Sequence, residues 1–306
     1  MSGPVQIRRV AIIGFGEAGS IIGADLVKQG LDVATYDILL DSPGTRAAML
    51  ARAEAAGATP RDTHAEAVRG AELVISAVTA SAAADVARES ARHLQPAQLF
   101  LDINSVSPET KRGNARAVEA SGADYVEAAV MAPVPPQRLK VPTLLGGRRA
   151  AELAEALNAL GMNTSAVAEE IGTASAIKMC RSIMIKGLEA LTVECVFAAR
   201  RFGAEDAVLA SLDKTFPGMG WTGKLPDYLV SRVAEHGRRR AAEMREVAQT
   251  QRDVGLEPLM AVATAARHDA LVAAMAAAGI AYREPFSWRE LADALASRNG
   301  TEGGER

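Results

Sequence analysis

The stretch Arg8–Val27, RRVAIIGFGEAGSIIGADLV, decides the fold. Val10 to Gly14 is a short apolar run closed by glycine, and Ala18 to Gln29 carries Ile21, Ile22, Leu26 and Val27 at helical spacing. The order is strand, turn, helix. Gly14, Gly16 and Gly19 form G-F-G-E-A-G at the turn: the first permits the tight bend, the second lets the backbone approach a pyrophosphate, and the third lets helix pack on strand. Free N–H groups and the positive helix end then suit phosphate. Gly14, Phe15, Gly16, Glu17, Ala18 and Gly19 are therefore candidate cofactor residues, set against the bland reading of a glycine turn without ligand.

Asp37 ends a second strand, LDVATYD (Leu31 to Asp37), at the distance where a carboxylate accepts hydrogen bonds from ribose hydroxyls and repels a 2′-phosphate. NAD is thus expected over NADP, with Arg46 as the residue that would reach a 2′-phosphate instead. Further strands are read at Glu72 to Val78, Gln98 to Asn104 and Asp124 to Val130, with helices such as Arg46 to Ala56 and Ala83 to His93 between them. Val78 and Thr79, at the end of one of these strands, complete the candidate cofactor set. The alternation predicts a parallel sheet with right-handed crossovers.

After about residue 150 the pattern changes. One last strand is read near Asn163 to Ala168, and alanine- and leucine-rich helical sequence follows. Thr173 to Arg200 is apolar on every side, which predicts a long helix buried on most faces. Later helices are read at Tyr228 to Val254 and Leu259 to Ala278; Asp213 to Asp227 is irregular, and the tail from Ser297 is polar and frayed.

Composition narrows the function classes. The 306 residues are 49% hydrophobic and 23% charged, with a formal charge of −3, an ordinary globular balance that argues against a nucleic-acid partner. No stretch reaches about 18 uninterrupted apolar residues, so no membrane partner is expected. Cys180 and Cys195 lie on one helix, about 22 Å apart against a bridging limit of about 7 Å, which fits a reducing cytoplasm. The four histidines show no ligand spacing, so no metal site is read.

GTASAIKMCRS, Gly172 to Ser182, heads the long helix. Lys178 on so apolar a helix is costly unless its ammonium meets a polar cleft or a partner, and a lysine so placed can serve as acid or base. Arg181 and Ser182 share its face. The competing reading is that both cations snorkel to the surface.

On these features the chain resembles the β-hydroxyacid dehydrogenase superfamily, the relatives of 3-hydroxyisobutyrate and 6-phosphogluconate dehydrogenases, as a poorly characterised subgroup with a divergent C-terminal region. The matching elements are the glycine fingerprint with Asp37, DINSVSP (Asp102 to Pro108), EAAV (Glu127 to Val130) with TLLGG (Thr143 to Gly147), and the G-x-x-x-x-x-K element at Gly172 to Lys178. The resemblance implies an α/β Rossmann domain over 1–168, an all-helical substrate and dimerisation domain over 169–306, and an active site between them. It implies Lys178 as general acid/base and Asn104 and Ser105 near substrate and nicotinamide. It also implies a homodimer acting on a small, carboxylate-bearing substrate.

Two departures stand out. Met131-Ala132-Pro133 replaces the glycine-rich substrate loop, and Ser182 replaces an asparagine. Arg181 is read as a replacement grip on the carboxylate. Met131, Met219 and Trp221 point to a bulkier, apolar substrate or to plain packing. His236, Arg238, Arg239, Arg240 and Arg245 form a solvated helix face or an anion grip. The expected function is NAD(P)-dependent hydride transfer on a β-hydroxy acid or related alcohol; imine reduction and a non-catalytic dinucleotide sensor are the alternatives.

Overall fold

The computed structural model describes residues 6–299, which divide into two compact units, one ending at Lys178 and the other beginning at Met179. Lys178 thus belongs to the first unit.

In chain order that unit runs β1 (Arg9–Ile13), α1 (Glu17–Lys28), β2 (Asp32–Tyr36), α2 (Pro43–Ala56), β3 (Thr59–Pro60), α3 (His64–Val68), β4 (Leu73–Ser76), α4 (Ala83–Ala91), β5 (Leu99–Asp102), α5 (Pro108–Glu119) and β6 (Asp124–Val130). The one-turn α6 (Val134–Gln137), β7 (Pro142–Gly146), α7 (Ala150–Ala159) and β8 (Asn163–Ala168) complete it, before α8 (Thr173–Arg201) begins. The eight strands lie in the order β3-β2-β1-β4-β5-β6-β7-β8. Residues alternate between two cores: Val10, Ile12, Leu99 and Leu101 face one layer of helices, and Ala11, Ile13, Phe100 and Tyr125 face the other. Central strands buried on both faces explain why β1, β4 and β5 read as unbroken apolar runs.

The expected parallel sheet holds through β6; the next pair, which adds a strand not read from the sequence, departs from it. β7 runs antiparallel to β6, in the register Val130↔Thr143, and β8 pairs parallel with β7. The connection over 131–141 carries Pro133, Pro135 and Pro136 and no full crossover helix, so the chain turns back beside β6.

The second unit is helical: the remainder of α8, α9 (Glu205–Thr215), α10 (Leu225–Asp253), α11 (Leu259–Ala277) and α12 (Trp288–Asn299). The predicted frayed tail is helical as far as Asn299, and the rest of it lies outside the described residues. The irregular segment narrows to 216–224, because α9 runs on to Thr215. Val193, Val196, Leu229, Val233, Leu271, Met275 and Trp288 form the main core. Gly237 lets α10 and α11 approach closely, since a Cβ there would meet Val272 Cγ2 at 2.5 Å. The expectation that α8 is buried on most faces is corrected: Met184 is 74% and Leu191 54% exposed, because the helices of this unit cover only the opposite side.

Among the described residues α11 is, by length and composition, apolar enough to cross a membrane, although no uninterrupted apolar run flags it. Arg267, His268 and Asp269 lie mid-helix, Arg267 pairs with Glu194 and Asp269 with Arg245, and Ala261, Ala265 and Leu271 are buried. These are the features of a helix packed in a bundle.

Candidate active site

The glycine turn shows three distinct surroundings. Gly14 has φ +91° and sits so close to β4 that a Cβ would lie 2.5 Å from the Ala77 carbonyl oxygen. A Cβ on Gly19 would lie 2.2 Å from the Gly14 oxygen, so this glycine seats α1 on β1. Gly16 faces open space and caps α1 with no side-chain hydrogen bond, leaving first-turn N–H groups for a ligand. That combination fits a dinucleotide pyrophosphate. Glu17 and Ala18 are the first residues of the helix, Glu17 exposed and Ala18 half-buried.

Phe15 turns its side chain away from the surface of the turn. Its side chain is fully buried against Gly23, and its N–H donates to Asp37 Oδ2 at 2.7 Å, so it shapes the turn from behind. The other Asp37 oxygen accepts from the Leu39 N–H at 3.0 Å. Arg46 donates to the Leu40 carbonyl at 2.8 Å and pairs with Asp62 at 2.5 Å, while Ile38, next to Asp37, is exposed and apolar.

The loop after β5 carries the next residues. Asn104 is buried; its Oδ1 accepts from the Val78 N–H at 2.7 Å and its Nδ2 donates to Ser76 Oγ at 2.9 Å. Both ends of the amide therefore tie this loop to the end of β4, and none of these bonds reaches toward a ligand. Thr79 is exposed just beyond, its hydroxyl 3.2 Å from that of Ser81. Behind the loop lies a fully buried cluster that sequence reasoning missed. Asp102 accepts from Lys111 Nζ (2.9 Å), Asn114 Nδ2 (3.0 Å), the Tyr125 hydroxyl (2.7 Å) and the Asn104 N–H (2.9 Å). Burial pushes the Asp102 carboxyl up, but the Lys111 ammonium and the other donors outweigh it and hold the group below the usual carboxylate range. Burial and the neighbouring Asp102 charge raise the Tyr125 hydroxyl well above its ordinary value.

Lys178 is half-buried rather than fully so, and its ammonium donates to Ser105 Oγ at 2.5 Å. It turns to the β5 loop, not to open water. The helix carrying it begins against Glu127, a fully buried carboxylate in β6. Glu127 accepts from the N–H groups of Gly172 (2.7 Å), Ala174 (3.0 Å) and Ser175 (3.3 Å) and from the Ser175 hydroxyl (2.7 Å). An acidic residue between apolar neighbours in the interior of DYVEAAV was the available signal.

Met131 is half-buried at the end of β6, and its N–H donates to the Pro142 carbonyl at 2.8 Å. Arg181 and Ser182 belong to the second unit. Arg181 is exposed; Ser182 is buried and accepts from Lys186 Nζ at 3.1 Å. Trp221 is part of the helical core, so its packing reading prevails, and Met219 is 42% exposed. The basic run on α10 is not a bare cationic face. Arg240 is buried and bidentate on Glu189, Arg239 pairs with Glu243, Arg245 with Asp269 and His236 with Glu235.

Residues 9–168, more than half the chain, match the family described as the NAD binding domain of 6-phosphogluconate dehydrogenase. Residues 199–271 match a domain of unknown function, DUF1932. A conserved hypothetical protein from Sinorhizobium meliloti 1021 is 41% identical, with 96% of this chain and 97% of that one covered and a TM-score of 0.78. A conserved protein of unknown function, described as structurally similar to 3-hydroxyacid dehydrogenases, is 33% identical over 86% of this chain and 96% of its own, with a TM-score of 0.71. The mitochondrial 3-hydroxyisobutyrate dehydrogenase of Bos taurus is 25% identical over 215 residues, 70% of this chain and 63% of that enzyme. The chain belongs to the β-hydroxyacid dehydrogenase superfamily, with a nicotinamide-dinucleotide-binding domain of the 6-phosphogluconate dehydrogenase type and a divergent C-terminal domain.

Proposed function

We propose that this protein is an NAD-dependent oxidoreductase acting on a β-hydroxy acid or a related alcohol, with Lys178 as general acid/base. One observation carries the reading: the Lys178 ammonium is bonded to Ser105 at the loop following β5, in the same unit as the glycine turn. When bound, the nicotinamide supplies the hydride acceptor or donor. Lys178, as the neutral amine, takes the hydroxyl proton during oxidation; as the ammonium it returns that proton to the carbonyl oxygen in reduction. Ser105 orients the substrate oxygen beside Nζ, and Asn104 serves by fixing that loop. Met131, Arg181 and Ser182 are assigned to the substrate, Arg181 as the partner of its carboxylate.

Preference for NAD over NADP is supported by Asp37 at the end of β2, by apolar Ile38 beside it, and by Arg46 already engaged with Leu40 and Asp62. Cytoplasmic location is consistent with the free thiols of Cys180 and Cys195, and self-association with the exposed Met184 and Leu191 of α8. A panel of β-hydroxy acids assayed with each cofactor tests the function. The expected result is turnover with NAD that Lys178→Ala lowers by about 10²–10⁴-fold; equal turnover by the variant overturns the assignment.

A further inference from the structure

Glu127 is out of place by the chemistry of its strand. It lies in the middle of β6, fully buried between two apolar layers, where an aliphatic side chain would serve the sheet better. The four hydrogen bonds it accepts all come from neutral donors at Gly172 and in the first turn of α8. They satisfy N–H groups that a helix start leaves open, and the negative charge suits the positive end of the helix. Other positions are shaped around it. A Cβ on Gly146 of β7 would lie 2.6 Å from Glu127 Oε1, so glycine there makes room for the carboxylate. Gly172 holds φ +107° as it delivers its N–H to Glu127, and a Cβ there would run into Arg112.

We propose that Glu127 is the positioning residue of Lys178. Ser175, which donates to Glu127 through both its N–H and its hydroxyl, is three residues ahead of Lys178, one turn back along the same face. Each residue of slip would turn the lysine by about 100° and move it about 1.5 Å along the axis. Either displacement changes the direction from which Nζ approaches Ser105, which it now reaches directly. The carboxylate in β6 fixes where the helix begins, and thereby how the ammonium meets the β5 loop. A misplacement of about 1 Å at a reacting group can cost about 100-fold in rate. The consequence for rate rests on the function proposed above; the consequence for the lysine itself does not.

The test is Glu127→Gln, which preserves volume but turns an amide toward N–H donors, read in two ways. Competitive acetylation by acetic anhydride, followed by peptide mass spectrometry, should label Lys178 several-fold faster in the variant, with the surface lysines Lys28 and Lys140 unchanged. With a hydroxy acid substrate, kcat should fall at least tenfold while cofactor affinity is kept, and Glu127→Gln combined with Lys178→Ala should be no slower than Lys178→Ala alone. Ser175→Ala, which removes one of the four bonds, should shift both readouts the same way by less, and serves if Glu127→Gln does not fold. Unchanged labelling of Lys178, or a double variant slower by the product of the single effects, overturns the proposal. Altered labelling in a protein that turns over no hydroxy acid upholds the positioning and refutes the reaction.

Discussion

Asp102 in the first unit and Glu189 in the second are both carboxylates sunk among apolar residues, and they are completed differently. Asp102 is surrounded by donors whose pull exceeds the effect of burial, so its carboxyl is held low. At Glu189 burial outweighs the bidentate Arg240, and its carboxyl is raised; burial likewise lowers Lys186 despite Glu243 beside it. Next to Glu189, His268 is fully buried with neither ring nitrogen completing a hydrogen bond, although the Lys186 backbone and Glu189 Oε2, 3.9 Å from Nε2, lie alongside. Among the described residues every buried side-chain polar atom without a hydrogen-bond partner is in the second unit. A closed polar cluster under the β5 loop makes a rigid base for Asn104 and Ser105. The cluster of the helical unit ties α8, α10 and α11 together at a higher electrostatic cost.

Lys111→Met leaves Asp102 charged and buried without its cation, and should cost about 3–5 kcal/mol. Both tryptophans, Trp221 and Trp288, are in the second unit, so their fluorescence during denaturation should hold while cofactor binding is lost at lower denaturant. Coincident loss of both signals would mean that the units do not unfold separately. Gly237→Ala is the reverse case. Its methyl would collide with Val272, and about 1–3 kcal/mol should be lost in the tryptophan transition with cofactor affinity intact.

Burial, helped by Arg240 and Lys186, holds folded His268 at about 4 instead of 6.5. On acidification the unfolded chain therefore binds its proton first. The stability tied to His268 is intact above about pH 6.5 and is lost progressively toward pH 4. His268→Leu should flatten that slope at little or no cost at neutral pH, because no completed hydrogen bond is removed. An undiminished slope would place the titration elsewhere; His64, held at about 4 mainly by burial, is the counterpart in the first unit. The smallest effect is expected at Arg239, exposed and paired with Glu243: Arg239→Ala should change stability by under about 1 kcal/mol.

The sequence was most legible where local pattern and tertiary role coincide. The β1 turn, β6, β8 and the start of α8 follow from apolar period and glycine placement, and Asn163–Ala168 matches its predicted bounds. The antiparallel β7 was not legible, since direction depends on how the proline-rich 131–141 segment returns and not on the strand's own residues. Lys178 was legible as a cation out of place. Glu127, Lys111 and Lys186 were not assigned, because their partners are distant in sequence: Glu127 meets Gly172, Lys111 meets Asp102, and Lys186 meets Glu243. The inward turn of the Phe15 side chain was not legible, because the glycine fingerprint marks where the backbone goes but not which way its side chains face.

The proposed reaction turns on a single proton handled at Lys178 Nζ. Its most direct measurement is single-turnover hydride transfer in Lys178→Met, with cofactor affinity determined on the same sample. The expected result is unchanged affinity and a transfer step slowed by at least about 100-fold. Transfer at the native rate, or cofactor binding lost in proportion to the rate, would contradict it.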